Sequence, residues 1–278
     1  MPGRKQHVPW TAAGRATEIE HSADEVVRTT GWVFNNETGQ QLTLAEFTAT
    51  GEQEVGSYLS LFGLETLVNK RSTMVEIGAG IGRMTAAFTK RFGRVIACDL
   101  DAAFLERCRE TVAAFGDVKH LSTVHVADGR TLSVASDSVD LTFSYITLQH
   151  CERDDALALT REAVRVTKPG GRIALNYRTW TARDVVLWPI GGLVRLTWKL
   201  PAVGPRLARH RLATRLGWQA NRLAPEDVLT DLRSAGLGVA DVDVWISPRR
   251  QRPATTGATV KTFEGINTSH WWIVATVS

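Results

Sequence analysis

Met74-Val75-Glu76-Ile77-Gly78-Ala79-Gly80-Ile81-Gly82-Arg83-Met84-Thr85 runs from a short apolar stretch into three glycines and out toward helix-forming sequence. Glycines in such a turn let the backbone bend sharply and let a ligand reach main-chain N–H groups with no side chain in the way. The third glycine follows the second after one intervening residue, giving G-x-G-x-G, and Arg83 stands where a dinucleotide fingerprint wants glycine. An NAD or FAD site is therefore disfavoured.

Working outward, short apolar or β-branched runs alternate with helical patterns from 73 to 177, the habit of a parallel sheet covered by helices. Strands are predicted at 74–77, 95–98, 124–127 and 139–145. A fifth, at 172–177, follows a Lys168-Pro169-Gly170-Gly171 turn in which Pro presets its own φ and Gly170 accepts a positive one. A helix over 154–167 carries Ala156, Leu159, Ala163 and Val166 at three- and four-residue steps. Another starts near Pro225-Glu226-Asp227, where Pro suits the first turn and acids the positive end of the dipole. Two further strands are predicted at 239–246 and 271–277, separated by an exposed loop over 248–257. The chain then divides into a helical N-terminal cap (1–70), an α/β core (71–180), a basic amphipathic lid (181–223) and the end of the core (224–278).

Three acids fall on the carboxyl edge of this sheet. Glu76 precedes the first glycine by two residues and offers a carboxylate to a cationic ligand, whereas a pyrophosphate would gain nothing from it. Asp99, 23 positions later, ends the second strand where an acid can accept from ribose hydroxyls. Asp128-Gly129 follows the third strand, placed for an adenine amino group. Asp101 sits where the next helix needs its N-cap.

Glu76-Ile77-Gly78-Ala79-Gly80-Ile81-Gly82, Val95-Ile96-Ala97-Cys98-Asp99, Ala127-Asp128-Gly129 and Asp140-Leu141-Thr142-Phe143-Ser144 with Leu148-Gln149-His150 resemble the successive motifs of class I S-adenosylmethionine (SAM)-dependent methyltransferases. The resemblance covers roughly 72–180 and resumes at 224–240. It implies a doubly wound, Rossmann-like α/β fold with a seven-stranded sheet whose last strand is antiparallel. It also implies SAM as cofactor and S-adenosylhomocysteine (SAH) as product. Glu76, Gly78, Ala79, Gly80 and Gly82 would cradle the methionine part, Asp99 and Leu100 the ribose and adenine, Asp128 and Gly129 the adenine, and Ser144 the far side of the methionine.

Methyl transfer from a sulfonium is an in-line displacement that needs alignment and dryness, with a general base only when the acceptor must lose a proton. His150, after the fourth strand on the carboxyl edge, is the candidate base, and packing or capping is its bland alternative. Tyr145, Gln149 and Tyr177 are candidate substrate contacts. Arg83 is read either as meeting a carboxylate or as a solvated helix-start residue. The Asn/Asp-Pro-Pro-aromatic motif of DNA amino-methyltransferases is replaced by Ser144-Tyr145-Ile146-Thr147, which argues against DNA.

Between 185 and 225 there is no acid, while Arg195, Lys199, Arg206, Arg209, Arg211, Arg215 and Arg222 alternate with Leu and Trp. Such a segment suits a lid over substrate, contact with an anionic membrane surface, or a grip on an acceptor phosphate or carboxylate. Trp188, Trp198 and Trp218 are expected at the core or pocket, and Trp32, Phe34, Phe47 and Tyr58 in the lid or pocket wall. The favoured expectation is O-methylation of a small or lipid-like acceptor. The alternatives are an RNA methyltransferase using the basic segment and a SAM-binding regulator without catalysis.

The net charge of +4 is uneven, since the first 70 residues hold more acid than base. Cys98, Cys108 and Cys151 fit neither a zinc site nor a disulfide framework and are expected as buried free thiols. No metal is expected, because no His/Asp cluster at ligand spacing is visible. The polar beginning lacks an apolar signal region and the stretch 185–200 is too interrupted to span a membrane, so a cytoplasmic location is expected.

Overall fold

Strands covered on both faces need near-continuous apolar sequence, and the pair flanking the glycine turn has it. In the computed structural model β1 (Thr73–Ile77) is buried from Met74 onward, and β2 (Arg94–Asp99) from Val95 to Cys98. The structure describes residues 22–34, 42–198, 200, 203, 206–207, 216–217 and 221–278. They form two compact units, Met1–Asp128 with Gly191–Trp218, and Gly129–Ile190 with Gln219–Ser278.

In the first unit β1, β2 and β3 (Leu121–His125) run parallel in the order β3-β2-β1, with Thr73 opposite Arg94 and Val95 opposite Leu121. β3 begins and ends earlier than the sequence suggests. It is only half-buried, and the Val126 N–H bonds to the Asp99 carbonyl at 2.8 Å across the strand end. Helices α1 (Ala23–Phe34) and α2 (Leu44–Leu61) precede β1, and α3 (Thr85–Arg91) and α4 (Ala102–Phe115) follow β1 and β2. α2 starts on a capping box: Thr43 Oγ1 accepts from the Glu46 N–H at 3.2 Å, and Glu46 accepts from the Thr43 N–H at 2.8 Å. Asp101 caps α4 as expected, accepting from the Ala103 N–H at 2.8 Å.

These helices lock onto the glycine turn. A Cβ on Gly51 of α2 would lie 2.2 Å from the Arg83 carbonyl oxygen, so only glycine lets the helix come this close. Phe47 joins Val26, Val27, Ile81 and Phe104 in one apolar cluster, and the buried Tyr58 stacks on Phe62. Both are core residues rather than pocket wall. The side chains of Trp32 and Phe34 lie outside the described ones.

In the second unit the order is β4-β5-β8-β6-β7: β4 (Val139–Ser144), β5 (Thr167–Arg178), β6 (Val239–Ile246), β7 (Thr259–Thr262) and β8 (His270–Val277). β8 is antiparallel to both β5 and β6, as expected. The described strands number eight rather than seven, because β7 pairs with β6 just past the predicted loop. The Lys168–Gly171 turn is an irregularity inside β5. Val139 faces Thr167 and Leu141 already faces Arg172, and the intervening residues bulge out with Gly170 at φ +79°. α5 (Arg153–Val166) and α7 (Pro225–Ser234) are tied by Arg161 to Asp231 at 2.8 Å and Arg153 to Asp227 at 3.0 Å. The Ala224 N–H is capped by Asp227 at 2.8 Å.

α6 (Asp184–Thr197) opens the basic segment, with Pro189 inside it and Val185, Val186, Leu193 and Leu196 exposed. Lys199, Arg209, Arg211, Arg215 and Trp218 lie outside the described residues. Among the described residues no helix is long and apolar enough to cross a membrane. All three cysteines are free; Cys98 and Cys108 are buried, with their thiols pushed up by burial, and Cys151 is half-buried.

Candidate functional site

After β1 the chain turns on Gly78, Gly80 and Gly82, all with positive φ (80°, 53° and 91°), a conformation that L side chains rarely adopt. The N–H groups of Gly78 and Ala79 both bond to the Cys98 carbonyl, at 2.7 and 3.1 Å. Gly82 has a second reason to be glycine: a Cβ there would lie 3.0 Å from Cys108 Sγ on α4. It serves packing as well as the turn.

Asp99 fastens this loop. One carboxylate oxygen accepts from the Gly80 N–H at 2.8 Å and the other from the Asp101 N–H at 2.9 Å. Burial raises its pKa to about 6, and these backbone donors hold it below what burial alone would give. The carboxylate keeps capacity to accept from a ligand hydroxyl. Leu100 is half-buried and its carbonyl lies 3.0 Å from the His125 ring nitrogen. Asp128, past the end of β3, is exposed.

Glu76 is 4% exposed and accepts from the Thr85 hydroxyl at 2.6 Å. Burial raises its pKa to about 7, opposed by Thr85 and the Arg83 charge. A buried carboxyl with so little compensation fits a ligand ammonium, and Asp99 beside the glycine loop fits ligand hydroxyls; the residues present thus suit the cofactor that the motifs imply. Arg83 takes the neighbouring-acid option, bonding Glu54 at 2.6 Å and Thr50 at 3.2 Å on α2. Thr85 and Glu54 went unread in the sequence, because nothing local marks a hydroxyl nine positions, or an acid some thirty, from its partner.

In the second unit Ser144 is fully buried at the end of β4, and Tyr145 stacks on Trp272 with ring centres 5.4 Å apart. Ile146 has φ +52°, an outlier for a β-branched residue and the kind of strain that gathers at functional sites. Asn176 holds it there, accepting from the Ile146 N–H at 3.3 Å while donating to the Trp271 carbonyl at 3.1 Å. Gln149 and His150 sit buried in a 3₁₀ turn over Leu148–His150. The Gln149 side-chain amide lies 3.2 Å from His150 Nε2. Gln149 Oε1 is buried without a partner among the described residues. Asn221 secures the turn by donating to the Leu148 and Cys151 carbonyls at 2.6 and 2.8 Å.

Tyr177 departs from expectation. It is fully buried, its hydroxyl lies 2.7 Å from Thr160 on α5, and its ring stacks on Trp271. Successive residues of a strand face opposite ways, so Tyr177 packs under the helix while its neighbour Asn176 serves the β4 edge. Arg222 departs as well. Its side chain is 6% exposed and paired with Asp184, not a solvated member of the lid.

Residues 75–175, which hold the glycine loop, Glu76 and Asp99, match the family described as a methyltransferase domain. Over 120 residues the chain is 33% identical to an uncharacterized methyltransferase of Mycolicibacterium paratuberculosis, covering 43% of this chain and 42% of that protein. Over 131 residues it is 34% identical to the malonyl-[acyl-carrier protein] O-methyltransferase of Methylococcus capsulatus, covering 45% and 44%. The chain thus spans under half the length of these relatives. Magnesium protoporphyrin IX methyltransferase of Synechocystis, solved with bound SAH, shares the fold at TM-score 0.53 and 16% identity over 92% of this chain and 98% of that one.

Proposed function

We propose that this chain transfers the methyl group of SAM to an oxygen of a small or lipid-like acceptor. The observation that carries the reading is the buried Glu76 carboxyl beneath a glycine loop that Asp99 fastens through the Gly80 N–H. SAM, when bound, supplies a methyl group on a positively charged sulfur and is left as SAH. In the first unit Glu76 holds an ammonium and Asp99 orients hydroxyls; in the second, the turn from Ser144 to His150 forms an acceptor wall. His150 is the candidate base that receives the acceptor's hydroxyl proton as its oxygen attacks, on a ring nitrogen that Gln149 must release if its amide donates there. Tyr145 and Gln149 line that wall, and the outward Val185, Val186, Leu193 and Leu196 of α6 support an apolar body on the acceptor.

Calorimetric titration with SAM and SAH tests the cofactor half: both bind, and failure of both to bind overturns the reading. Product formation tests the rest. SAH accumulates with at least one member of a panel of phenols and lipids, whereas a chain that binds SAM and turns over none of them is a regulator.

A further inference from the structure

Asp184, which opens α6, is fully buried, and its carboxylate is saturated. One oxygen accepts from Arg178 Nη2 at 3.1 Å and Arg222 Nη2 at 2.7 Å; the other accepts from the N–H and hydroxyl of Thr181 at 2.7 and 2.8 Å. Two guanidinium groups therefore share one carboxylate. Their remaining donors are barely used. Arg222 gives Nη1 to the Asn221 carbonyl at 2.8 Å, while the Nε atoms of both arginines are buried with no partner among the described residues. The Arg222 side chain is 94% removed from solvent, and its guanidinium lies 5.0 Å from the Trp188 ring centre.

Among the described residues nothing nearby restores the balance. His270 pairs with Arg178 across β5 and β8, but burial, then Arg178 and Arg222, lower its pKa to about 4 and leave it neutral near pH 7. Arg250, which donates to the Trp180 and Thr268 carbonyls at 2.8 and 3.1 Å, adds positive charge. Burial and the neighbouring Arg222 lower the Arg178 pKa to about 10, so Arg178 stays charged at neutral pH. Asp184, despite burial, is pulled down to about 2 by Arg222 and Thr181, so it is ionised and already spent.

One buried positive charge is thus left over, with two N–H groups unspent. Each guanidinium thus keeps an N–H of the kind that carboxylate and phosphate oxygens accept from. Its place also matters. Arg178 ends β5 two residues after Asn176, which puts both on one face of the strand at the carboxyl edge.

We propose that Arg178 and Arg222 bind an anionic oxygen group, carboxylate or phosphate, carried by the methyl acceptor. This rests on the methyltransferase reading for its placement at the acceptor edge. The test titrates the full chain, with and without SAH, with inorganic phosphate and separately with acetate at ionic strength held constant with sodium chloride. Trp188 against Arg222 makes tryptophan emission the readout, and SAH affinity is measured in parallel. A saturable change is expected with at least one anion. Phosphate alone indicates a phosphorylated acceptor, acetate alone a carboxylic one, and both the shared chemistry. Arg178→Lys keeps the charge but loses the fork, so it weakens anion binding at least tenfold and leaves SAH affinity unchanged; Arg222→Gln abolishes the response. No saturable response in the wild type, or equal affinity in Arg178→Lys, overturns the site. Absence of SAH binding counts against the methyltransferase reading, whereas SAH binding without an anion response counts against this site alone.

Discussion

At the scale of single residues, the chemistry is concentrated in carboxyls held away from their usual ionisation. Glu76 and Asp99 have folded pKa values near 7 and 6, above their ordinary 4.5 and 3.8. The folded state therefore holds protons that the unfolded state has released, and stability falls as pH rises from about 4 to 7. A ligand ammonium reverses this by favouring the ionised Glu76. The melting-temperature rise caused by saturating SAH is thus larger at pH 8 than at pH 5, and an equal rise at both contradicts the pairing. Glu76→Gln makes the unliganded protein more stable at pH 8 and weakens SAH binding by about 10- to 100-fold, the range for losing a charged hydrogen bond. His150→Ala keeps SAH affinity while lowering turnover on a hydroxyl acceptor by about 10²- to 10⁴-fold and removing the acid limb of the pH–rate profile. Steady-state rates between pH 5 and 9 check both effects.

At the scale of elements, legibility followed burial. β1 and β2 were readable because they are covered and largely apolar, and β4 because Val139, Leu141 and Phe143 alternate with Asp140, Thr142 and Ser144. β7 was not, since Thr259-Val260-Lys261-Thr262 is largely exposed and carries no alternation. The half-buried edge strand β3 was found but misplaced by about three residues for the same reason. The candidate site divides similarly. Glu76, the glycines and Asp99 are consecutive or spaced by one crossover, so sequence could assemble them. Asn176 was missed by one residue in favour of Tyr177, because which face of β5 meets the acceptor edge depends on what packs on each side. The Arg178–Asp184–Arg222 cluster has no local signal, as its members come from a strand end, a helix start and a return loop 38 residues on.

Element packing carries its own prediction. α2 presses on the glycine turn through Gly51, and a methyl group there meets the Arg83 carbonyl head on. Gly51→Ala costs about 1–3 kcal/mol, as overpacking does, and it weakens SAH binding because the turn must shift to relieve it. Urea denaturation and calorimetry read the two effects. An alanine variant with wild-type stability contradicts the close approach.

At the scale of the whole molecule, the uneven charge has a structural counterpart. The acid-free segment starts just after Asp184, its last arginine is Arg222, and those two residues are joined at 2.7 Å. Its two ends are therefore held together independently of what lies between. Replacing 186–220 with a six-residue Gly/Ser linker, long enough at about 3.3 Å per residue to rejoin them, leaves SAH affinity within about threefold and abolishes methyl transfer. Loss of SAH binding in that variant shows that the segment is part of the cofactor site.

The same junction bears on how such a protein changes over time. A loop closed at its mouth becomes only slowly more costly as it lengthens, about 0.6 kcal/mol for each doubling. Asp184, answered from both sides, makes the intervening sequence an exchangeable cassette whose length and composition can drift toward a new acceptor without the core registering the change.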